Sequence, residues 1–161
     1  MAKQKIAPCL WFNGQAEEAA TFYVSIFKNS KIGRILRCGE AGPWPKGSVL
    51  MVEFQIEGQD FQALNGGPQH SFTPAISLSV ACATQAEVDE LWDKLSAGGS
   101  TVACSWLTDK YGVSWQIVPT VLIDLLNDPD PDRAARAMDA MRTMVKIDIA
   151  RLKVAVDSPL F

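Results

Sequence analysis

The triplet Gln15-Ala16-Glu17 recurs as Gln85-Ala86-Glu87, seventy residues further along a chain of 161 residues. At the same offset Phe22 corresponds to Trp92, so the apolar positions around the triplet repeat as well. A repeat of this length indicates a chain built from two copies of one supersecondary unit.

Each copy begins with an apolar stretch that predicts a β-strand, at residues 6–12 in the first copy and at residues 75–82 in the second. A helix over residues 15–28 is predicted to follow the first strand, with Asn13 or Gly14 as its cap. Both copies therefore open with a strand and a helix.

The second helix has clearer boundaries than the first. Thr84 and Glu87 have the spacing of a capping box, which satisfies two exposed backbone donors at a helix start. Gly98-Gly99 is expected to end the helix, because glycine tolerates a left-handed C-cap. One face of the helix is apolar at a period of 3.6 residues, and it consists of Val88, Leu91, Trp92 and Leu95.

Three strands are predicted after each helix. They span residues 31–38, 48–56 and 60–64 in the first copy, and residues 101–103, 106–109 and 113–118 in the second. Hairpin turns are expected at residues 57–60 and at Tyr111-Gly112, with Asp109 and Lys110 solvated beside the second turn. Residues 40–47 and 65–74 are rich in glycine and proline, which predicts loops.

The fold class that follows is α+β, with two βαβββ modules forming a curled mixed sheet around a cleft, plus C-terminal helices. Residues 1–119 form the two-module part, with module one at residues 5–66 and module two at residues 73–119. Residues 120–161 are predicted to be a helical extension of the same domain.

The sequence of the extension predicts a short apolar helix at residues 121–126. It also predicts a helix start at Asp130-Pro131-Asp132, because proline and acidic residues are favoured there. A further helix is expected within residues 147–156. Its apolar side chains need a surface to pack against, either in this domain or in a second subunit. One hypothesis that follows is a dimer that only scaffolds other proteins.

The composition is that of a soluble globular protein, with 48% apolar and 20% charged residues and a net charge of −3. No basic run is present, which argues against nucleic-acid binding, and the apolar runs are too short to cross a membrane. No signal peptide is evident, so we expect a cytoplasmic protein. The cysteines have no CxxC spacing, so we expect free thiols; they are Cys9, Cys38, Cys82 and Cys104.

A family resemblance is carried by the segments Pro8-Cys9-Leu10-Trp11-Phe12-Asn13-Gly14, Glu17-Glu18-Ala19, Phe22-Tyr23, Leu64-Asn65-Gly66-Gly67-Pro68 and residues 109–119. These segments resemble PhnB-like proteins of the glyoxalase/bleomycin-resistance, or vicinal-oxygen-chelate, superfamily, often labelled as a 3-demethylubiquinone-9 3-methyltransferase domain. The resemblance extends over about residues 5–145.

The resemblance implies a divalent metal held by two His and two Glu, on the first and last strands of each module. At those positions this chain has Ala7 or Pro8, Ser77, Gln62 and Gln116. Alanine and proline side chains cannot bind a metal, serine is a poor ligand, and glutamine is a weak one. We therefore expect no resident cofactor.

The same residues bear on two other activities, metal-dependent catalysis and methyl transfer. A metal-dependent lyase, isomerase or dioxygenase is the alternative, with an unusual ligand set of Gln116, Gln62, Glu53 and the single histidine, His70. Methyl transfer lacks support, since the chain has no glycine-rich loop after a parallel strand and no doubly wound pattern.

The sequence analysis therefore favours a protein that binds a small planar or amphipathic molecule in the cleft, and that forms a homodimer. Strand alternation places Gln116 and Val118 on one face and Trp115 on the face towards the helices. The candidate ligand-binding residues are Gln62, Trp106, Gln116, Cys104 and Ser77. For the tryptophans, core or interface packing is the alternative role.

Overall fold

The computed structural model describes residues 4–158, and the chain divides after Phe72 into two compact units. The first unit contains β1 (Cys9–Phe12), α1 (Ala16–Ile26), β2 (Lys31–Arg37), β3 (Val49–Ile56) and β4 (Gln59–Asn65). Its sheet has the order β1-β4-β3-β2, with β1 parallel to β4 and the other pairs antiparallel. This is the predicted βαβββ module.

The second unit repeats the arrangement. It contains β5 (Leu78–Cys82), α2 (Gln85–Ser96), β6 (Ser100–Thr101), β7 (Trp106–Thr108) and β8 (Ser114–Pro119). The sheet order is β5-β8-β7-β6, and β5 runs parallel to β8. The α+β class and the two-module architecture are thereby confirmed.

The strand register relates the two modules residue by residue. Cys9 on β1 pairs with Gln62, and Ser79 on β5 pairs with Gln116. Cys9 and Ser79 are seventy residues apart, which is the offset of the sequence repeat. Gln62 and Gln116 are therefore structural counterparts, as Ala7 and Ser77 are at the start of each module.

Each sheet buries one face beneath its own helix. In module one Tyr23 of α1 stacks on Phe54 of β3, with ring centroids 6.4 Å apart. In module two the predicted helix face is buried, and Trp115 and Ile117 are almost inaccessible, as strand alternation predicts. The opposite face of each sheet, which we call its open face, carries Gln62 in module one and Gln116 in module two.

The start of α1 differs from the prediction. Asn13 and Gly14 do not cap it, and Gln15 at the N-cap position makes no side-chain capping bond. The amide of Ala16 instead donates to Oδ1 of Asn65 on β4, at 2.9 Å. Gly14 has no side chain to accept this bond, so the sheet supplies the acceptor.

The start of α2 confirms the predicted cap. The amide of Glu87 donates to Oγ1 of Thr84 at 3.2 Å, and the Glu87 carboxylate accepts from the amide of Ala83 at 2.8 Å. The return bond reaches one residue further back than in the standard box. The helix ends before Gly98, which has a φ of +76°.

The two hairpin turns are built differently. Module one uses Glu57 and Gly58, with φ of +48° and +77°, the left-handed pair of a tight hairpin. In module two the prediction of a solvated Asp109 is wrong, because only 3% of it is exposed. Its carboxylate faces inward to accept bonds from the amides of Tyr111 and Val113 and from the indole of Trp115, at 2.8, 3.1 and 2.8 Å.

The C-terminal extension belongs to the second unit and contains α3 (Thr120–Leu126), α4 (Pro131–Arg142) and α5 (Ile149–Asp157). Asp130 caps α4 as predicted, accepting from the amide of Asp132 at 2.9 Å. Leu152 and Val156 are fully buried, so this chain itself covers the apolar face of α5. No helix within residues 4–158 is long and apolar enough to cross a membrane.

Several predicted boundaries shift, including the starts of the first strand, of the strand predicted at residues 75–82, which begins at Leu78, and of the last helix. The first strand begins at Cys9 rather than at residue 6, and Ile6 is 86% exposed. The last helix begins at Ile149, because Asp148 caps it by accepting from the amide of Arg151 at 3.0 Å. Ile147, which the prediction placed in this helix, is buried ahead of it.

Candidate functional site

The open face of module one contains a pocket of about 290 Å³. That volume is at the lower end of the roughly 300–1,000 Å³ of small-molecule sites. Small residues leave the space open, since Ala7, Gly33 and Gly58 all line it. The polar lining comes from Gln4, Lys31, Glu53, Gln55, Asp60 and Gln62.

The acidic groups of this pocket already have partners. Arg34 binds Glu53 across the sheet at 2.9 Å. Gln55 donates to Asp60 at 2.7 Å, and the backbone amide of Gln4 donates to the same carboxylate at 3.0 Å. These contacts hold the side chains of Glu53 and Asp60 against the protein, so neither carboxylate is an unpaired acidic group in the pocket.

Gln62 differs from its neighbours in the pocket. Within residues 4–158, no hydrogen bond involves its side-chain amide, which is half-buried on the open face. A carboxamide presents a donor and an acceptor side by side. Gln62 is therefore the pocket group best placed to recognise a ligand with a complementary pair.

In module two the structure brings three predicted site residues together. Nε2 of Gln116 donates to Oγ of Ser77 at 2.9 Å. Trp106 on β7 is the register partner of Gln116, so its indole shares the open face with the amide. Gln62 lies on β4 of the first unit.

Cys104 lies in the turn before β7, two residues ahead of Trp106. It is half-exposed, and its sulfur approaches the carbonyl of Met141 on α4 at 3.8 Å. The thiol therefore faces the C-terminal extension. All four cysteines are free, and burial, reinforced by Glu87, raises the pKa of Cys82 to about 11, which keeps that thiol protonated.

The weak metal candidates do not assemble a metal site. His70 is exposed, and its ring packs edge-on against Trp11, with centroids 4.8 Å apart. Glu53 is paired with Arg34. Among the described residues 4–158, no three His, Cys, Asp or Glu side chains come together as a ligand set.

The side chains at the positions where the family resemblance implies metal ligands do not fit a divalent metal either. Module one offers Ala7, which has no donor, and the single amide of Gln62. Module two offers the hydroxyl of Ser77 and the amide of Gln116, which hydrogen bond to each other. Module one thus offers one neutral oxygen and module two offers two, whereas imidazoles and carboxylates hold such a metal.

The structural role of Asn65 was not predicted from the sequence. Its side chain accepts from Ala16 and donates to the carbonyl of Val49 at 3.0 Å, and its own carbonyl accepts from the indole of Trp44 at 2.7 Å. The side-chain amide of Asn65 thus connects the helix to the sheet, and its backbone carbonyl holds the glycine- and proline-rich loop. The available signal in the sequence was the segment Asn65-Gly66-Gly67-Pro68, which also carries part of the family resemblance.

The two glycines after Asn65 make close contacts with the indole rings of Trp11 and Trp44. A Cβ on Gly66 would lie 2.3 Å from the ring of Trp11, so only glycine fits beneath that ring. The indole of Trp11 donates to the carbonyl of Gly67 at 2.9 Å. Trp11 and Trp44 therefore stabilise the end of module one, as the packing alternative for the tryptophans expected.

Comparison with known proteins agrees with this fold. The sequence model of a family described as 3-demethylubiquinone-9 3-methyltransferase matches residues 4–118, which leaves the C-terminal extension outside the match. No curated protein matches the chain.

Solved structures extend the comparison. A PhnB protein from Bacillus cereus, described with the same methyltransferase name, is 40% identical over 73% of this chain and 100% of its own, with a TM-score of 0.67. Protein PA1353 from Pseudomonas aeruginosa is 23% identical over 70% of this chain and 95% of its own, with a TM-score of 0.57. The fosfomycin resistance protein FosX from Listeria monocytogenes is 16% identical over 71% and 91%, with a TM-score of 0.48. The chain belongs to the PhnB-like family whose model carries the name 3-demethylubiquinone-9 3-methyltransferase.

Proposed function

We propose that this protein binds a small planar or amphipathic molecule on the open face of module one, without a tightly held metal. The observation that carries the proposal is the strand register, which makes Gln62 the counterpart of Gln116 at positions where the family resemblance implies metal ligands. Within residues 4–158 the Gln62 side chain makes no hydrogen bond, and it lines a pocket of about 290 Å³. The amide suits recognition through hydrogen bonds, and Ala7, which lines the same pocket, contributes no ligand atom.

The ligand class follows from the pocket lining. Glu53 and Asp60 are already paired, so the lining offers the carboxamide of Gln62 and the ammonium of Lys31 for new contacts. A compact ligand with a donor and an acceptor on one edge, such as an amide or a lactam, complements Gln62. An apolar body would cover the remaining surface of the pocket.

Methyl transfer, which the family's name describes, has no support in these residues. A methyltransferase of the doubly wound class binds its cofactor beside a glycine-rich loop after a parallel strand. Here each module has a single parallel strand pair. The Gly66-Gly67 pair that follows β4 lies against Trp11 and Trp44 instead.

Ligand binding is tested by a thermal-shift screen of small planar amides and lactams, followed by titration calorimetry on the compounds that stabilise the protein. Gln62→Ala should weaken their binding by about 5–15-fold, the effect of about 1–1.5 kcal/mol for one hydrogen bond. Gln15→Ala is the matched control, because Gln15 is exposed and makes no capping bond. Equal affinity in both variants would contradict the role of Gln62.

Metal analysis separates the proposal from the alternative of a metal-dependent lyase, isomerase or dioxygenase. Mass spectrometry of the purified protein should detect no stoichiometric divalent metal, and a chelator should leave ligand binding unchanged. A stoichiometric metal that is lost in Gln116→Ala would overturn the proposal in favour of that alternative.

We also propose that the protein is a cytoplasmic homodimer. Ile76 and Val154, each 68% exposed, are apolar side chains of the kind that subunit interfaces cover. Light scattering coupled to size exclusion should give twice the chain mass, and cell fractionation should recover the protein in the cytosol. A monomer at all concentrations would reject the dimer.

A further inference from the structure

We infer that the ligand is an amide with a flexible apolar tail, and that the tail runs along β4 from Gln62 towards Leu64. The inference rests on the proposed function, because it names the ligand class and the ligand's orientation for the same face of module one. It is carried by the strand register, which arranges the open face of module one in rows of side chains that cross the sheet.

The row at one end of this face is polar. Lys31 on β2 pairs with Gln55 on β3, which pairs in turn with Asp60 on β4, so the three side chains lie side by side on the open face. All three line the pocket. A hydrocarbon group laid over this row would cover an ammonium, an amide and a carboxylate, which is unfavourable.

The middle row contains the amide proposed to recognise the ligand. Gln62 on β4 is the register partner of Glu53 on β3, and both line the pocket. Along β4 the pocket lining runs from Asp60 to Gln62 and stops there. A ligand bonded to Gln62 therefore lies at the edge of the pocket, next to the third row of the open face.

The third row is apolar on all four strands, and we call it the apolar row. Its register partners run from Trp11 on β1 through Leu64 on β4 and Met51 on β3 to Leu36 on β2. Leu36 is 46% exposed, and the other three side chains are half-buried. Large apolar side chains with accessible surface thus lie side by side, one row beyond Gln62.

The spacing of the rows sets the shape of the ligand. Two residues of a strand rise by about 7 Å, which separates the row of Gln62 from the apolar row. An alkyl chain attached to the bound amide would cover this distance and lie over Leu64, with Met51 on one side and Trp11 on the other. Its direction follows from the difference between the rows, because the opposite direction leads to Asp60 and Lys31.

Trp11 gives the apolar row a fixed side. Its indole N–H donates to the carbonyl of Gly67 at 2.9 Å, and its ring packs edge-on against His70, with centroids 4.8 Å apart. These contacts already orient the ring. An apolar tail would therefore meet a preorganised surface and would not have to order this side chain on binding.

The first experiment titrates the protein with three linear amides, butanamide, hexanamide and octanamide, and follows the backbone amide chemical shifts. All three should shift Glu53 and Gln62, whereas hexanamide and octanamide should also shift Met51 and Leu64. Octanamide should bind at least about tenfold more tightly than butanamide, because each further methylene contributes up to about fourfold when it is fully buried.

The second experiment removes apolar surface with the double variant Met51→Ala and Leu64→Ala. The affinity ratio between octanamide and butanamide should fall to about threefold or less, while butanamide binds as before. Gln62→Ala should instead weaken both amides by about 5–15-fold and leave their ratio unchanged. The matched control is Met138→Ala with Ile123→Ala, because these side chains are 41% and 50% exposed on the C-terminal extension.

The outcomes separate the tail from the binding itself. Equal affinity for butanamide and octanamide, with shifts at Gln62, would overturn the inference and leave the proposed function intact. A ratio that the double variant retains would also overturn it, since the tail would then lie elsewhere. No shift with any amide, together with an empty thermal-shift screen, would instead remove the proposed function. If the double variant fails to fold, Met51→Ala alone is measured against the same criteria.

Discussion

Module one and module two share one topology but stabilise its ends by different means. The helix of module one begins against Asn65 on a distant strand, whereas that of module two begins with the local cap Thr84. Gly14 occupies the position that matches Thr84 at the offset of seventy. The same structural requirement, an acceptor for a helix amide, is met by tertiary contact in one copy and by local sequence in the other.

The turns and the open faces diverge in the same way. Module one closes its last hairpin with Glu57 and Gly58, and module two closes its own around the buried carboxylate of Asp109. The open face of module one retains a pocket, while Val118 of module two packs against the extension. The two copies therefore share the sheet and differ in the turns and in the packing around it.

The largest effect is expected at the module two turn. Asp109→Ala removes the acceptor of two backbone amides and one buried indole, so unfolding in urea should show a loss on the order of 3–5 kcal/mol. Asp93→Ala on the exposed side of α2 should change stability by less than about 0.5 kcal/mol. Equal, small losses in both would mean that Asp109 does not organise the turn.

The two helix caps should differ in their contribution to the stability of the fold. Asn65→Ala leaves Ala16 and Val49 without partners in a buried site, so a loss of about 2–3 kcal/mol is expected. Thr84→Ala removes one exposed cap and should lose about 1 kcal/mol. Chemical denaturation of both variants measures the difference, and a reversed order would break the comparison between the modules.

The close approach of Trp11 to Gly66 predicts a loss of stability of intermediate size when that glycine is replaced. Gly66→Ala places a Cβ within the ring of Trp11, so overpacking should cost about 1–3 kcal/mol. Gly39→Ala is the matched control, because a Cβ there meets nothing within 4 Å. Thermal melts of the two variants should separate clearly, and a melt of Gly66→Ala like that of the control would contradict this packing.

The smallest loss of stability is expected at the salt bridge between Lys146 and Asp89 of α2. The hydrogen bond from Lys146, followed by that from Gln85, lowers the pKa of Asp89 below its ordinary value of 3.8. A lowered pKa stabilises the fold above pH 3.8, and that contribution is lost as the pH falls through the lower folded-state pKa.

Because the pair is half-exposed, Asp89→Asn should lose only a few tenths of a kcal/mol at neutral pH. Urea unfolding at neutral pH and at progressively lower pH should show the gap between the variant and the native protein closing in the acid range. A gap that stayed constant with pH would exclude the carboxylate's charge as its origin.

Much of the candidate site was open to prediction because strand alternation and the repeat are local, periodic signals. Gln62, Ser77 and Gln116 were identified from the repeat and the family resemblance, and the register makes the two glutamines counterparts. The bond between Ser77 and Gln116 was not predictable, since it depends on how β5 lies beside β8. Asn65 was missed for the same reason, as it caps a helix that begins 49 residues earlier in the chain.

By itself, the sequence determined the two βαβββ modules, the cap at Thr84 and the start of α4 at Asp130, because each depends on residues a few positions apart. Only the tertiary structure decided that Asp109 is buried, that Asn65 caps α1, and that the last helix packs within its own chain. Those outcomes depend on which polar groups and apolar faces come into contact after the strands have paired. The spacing of residues along the chain does not specify those long-range contacts.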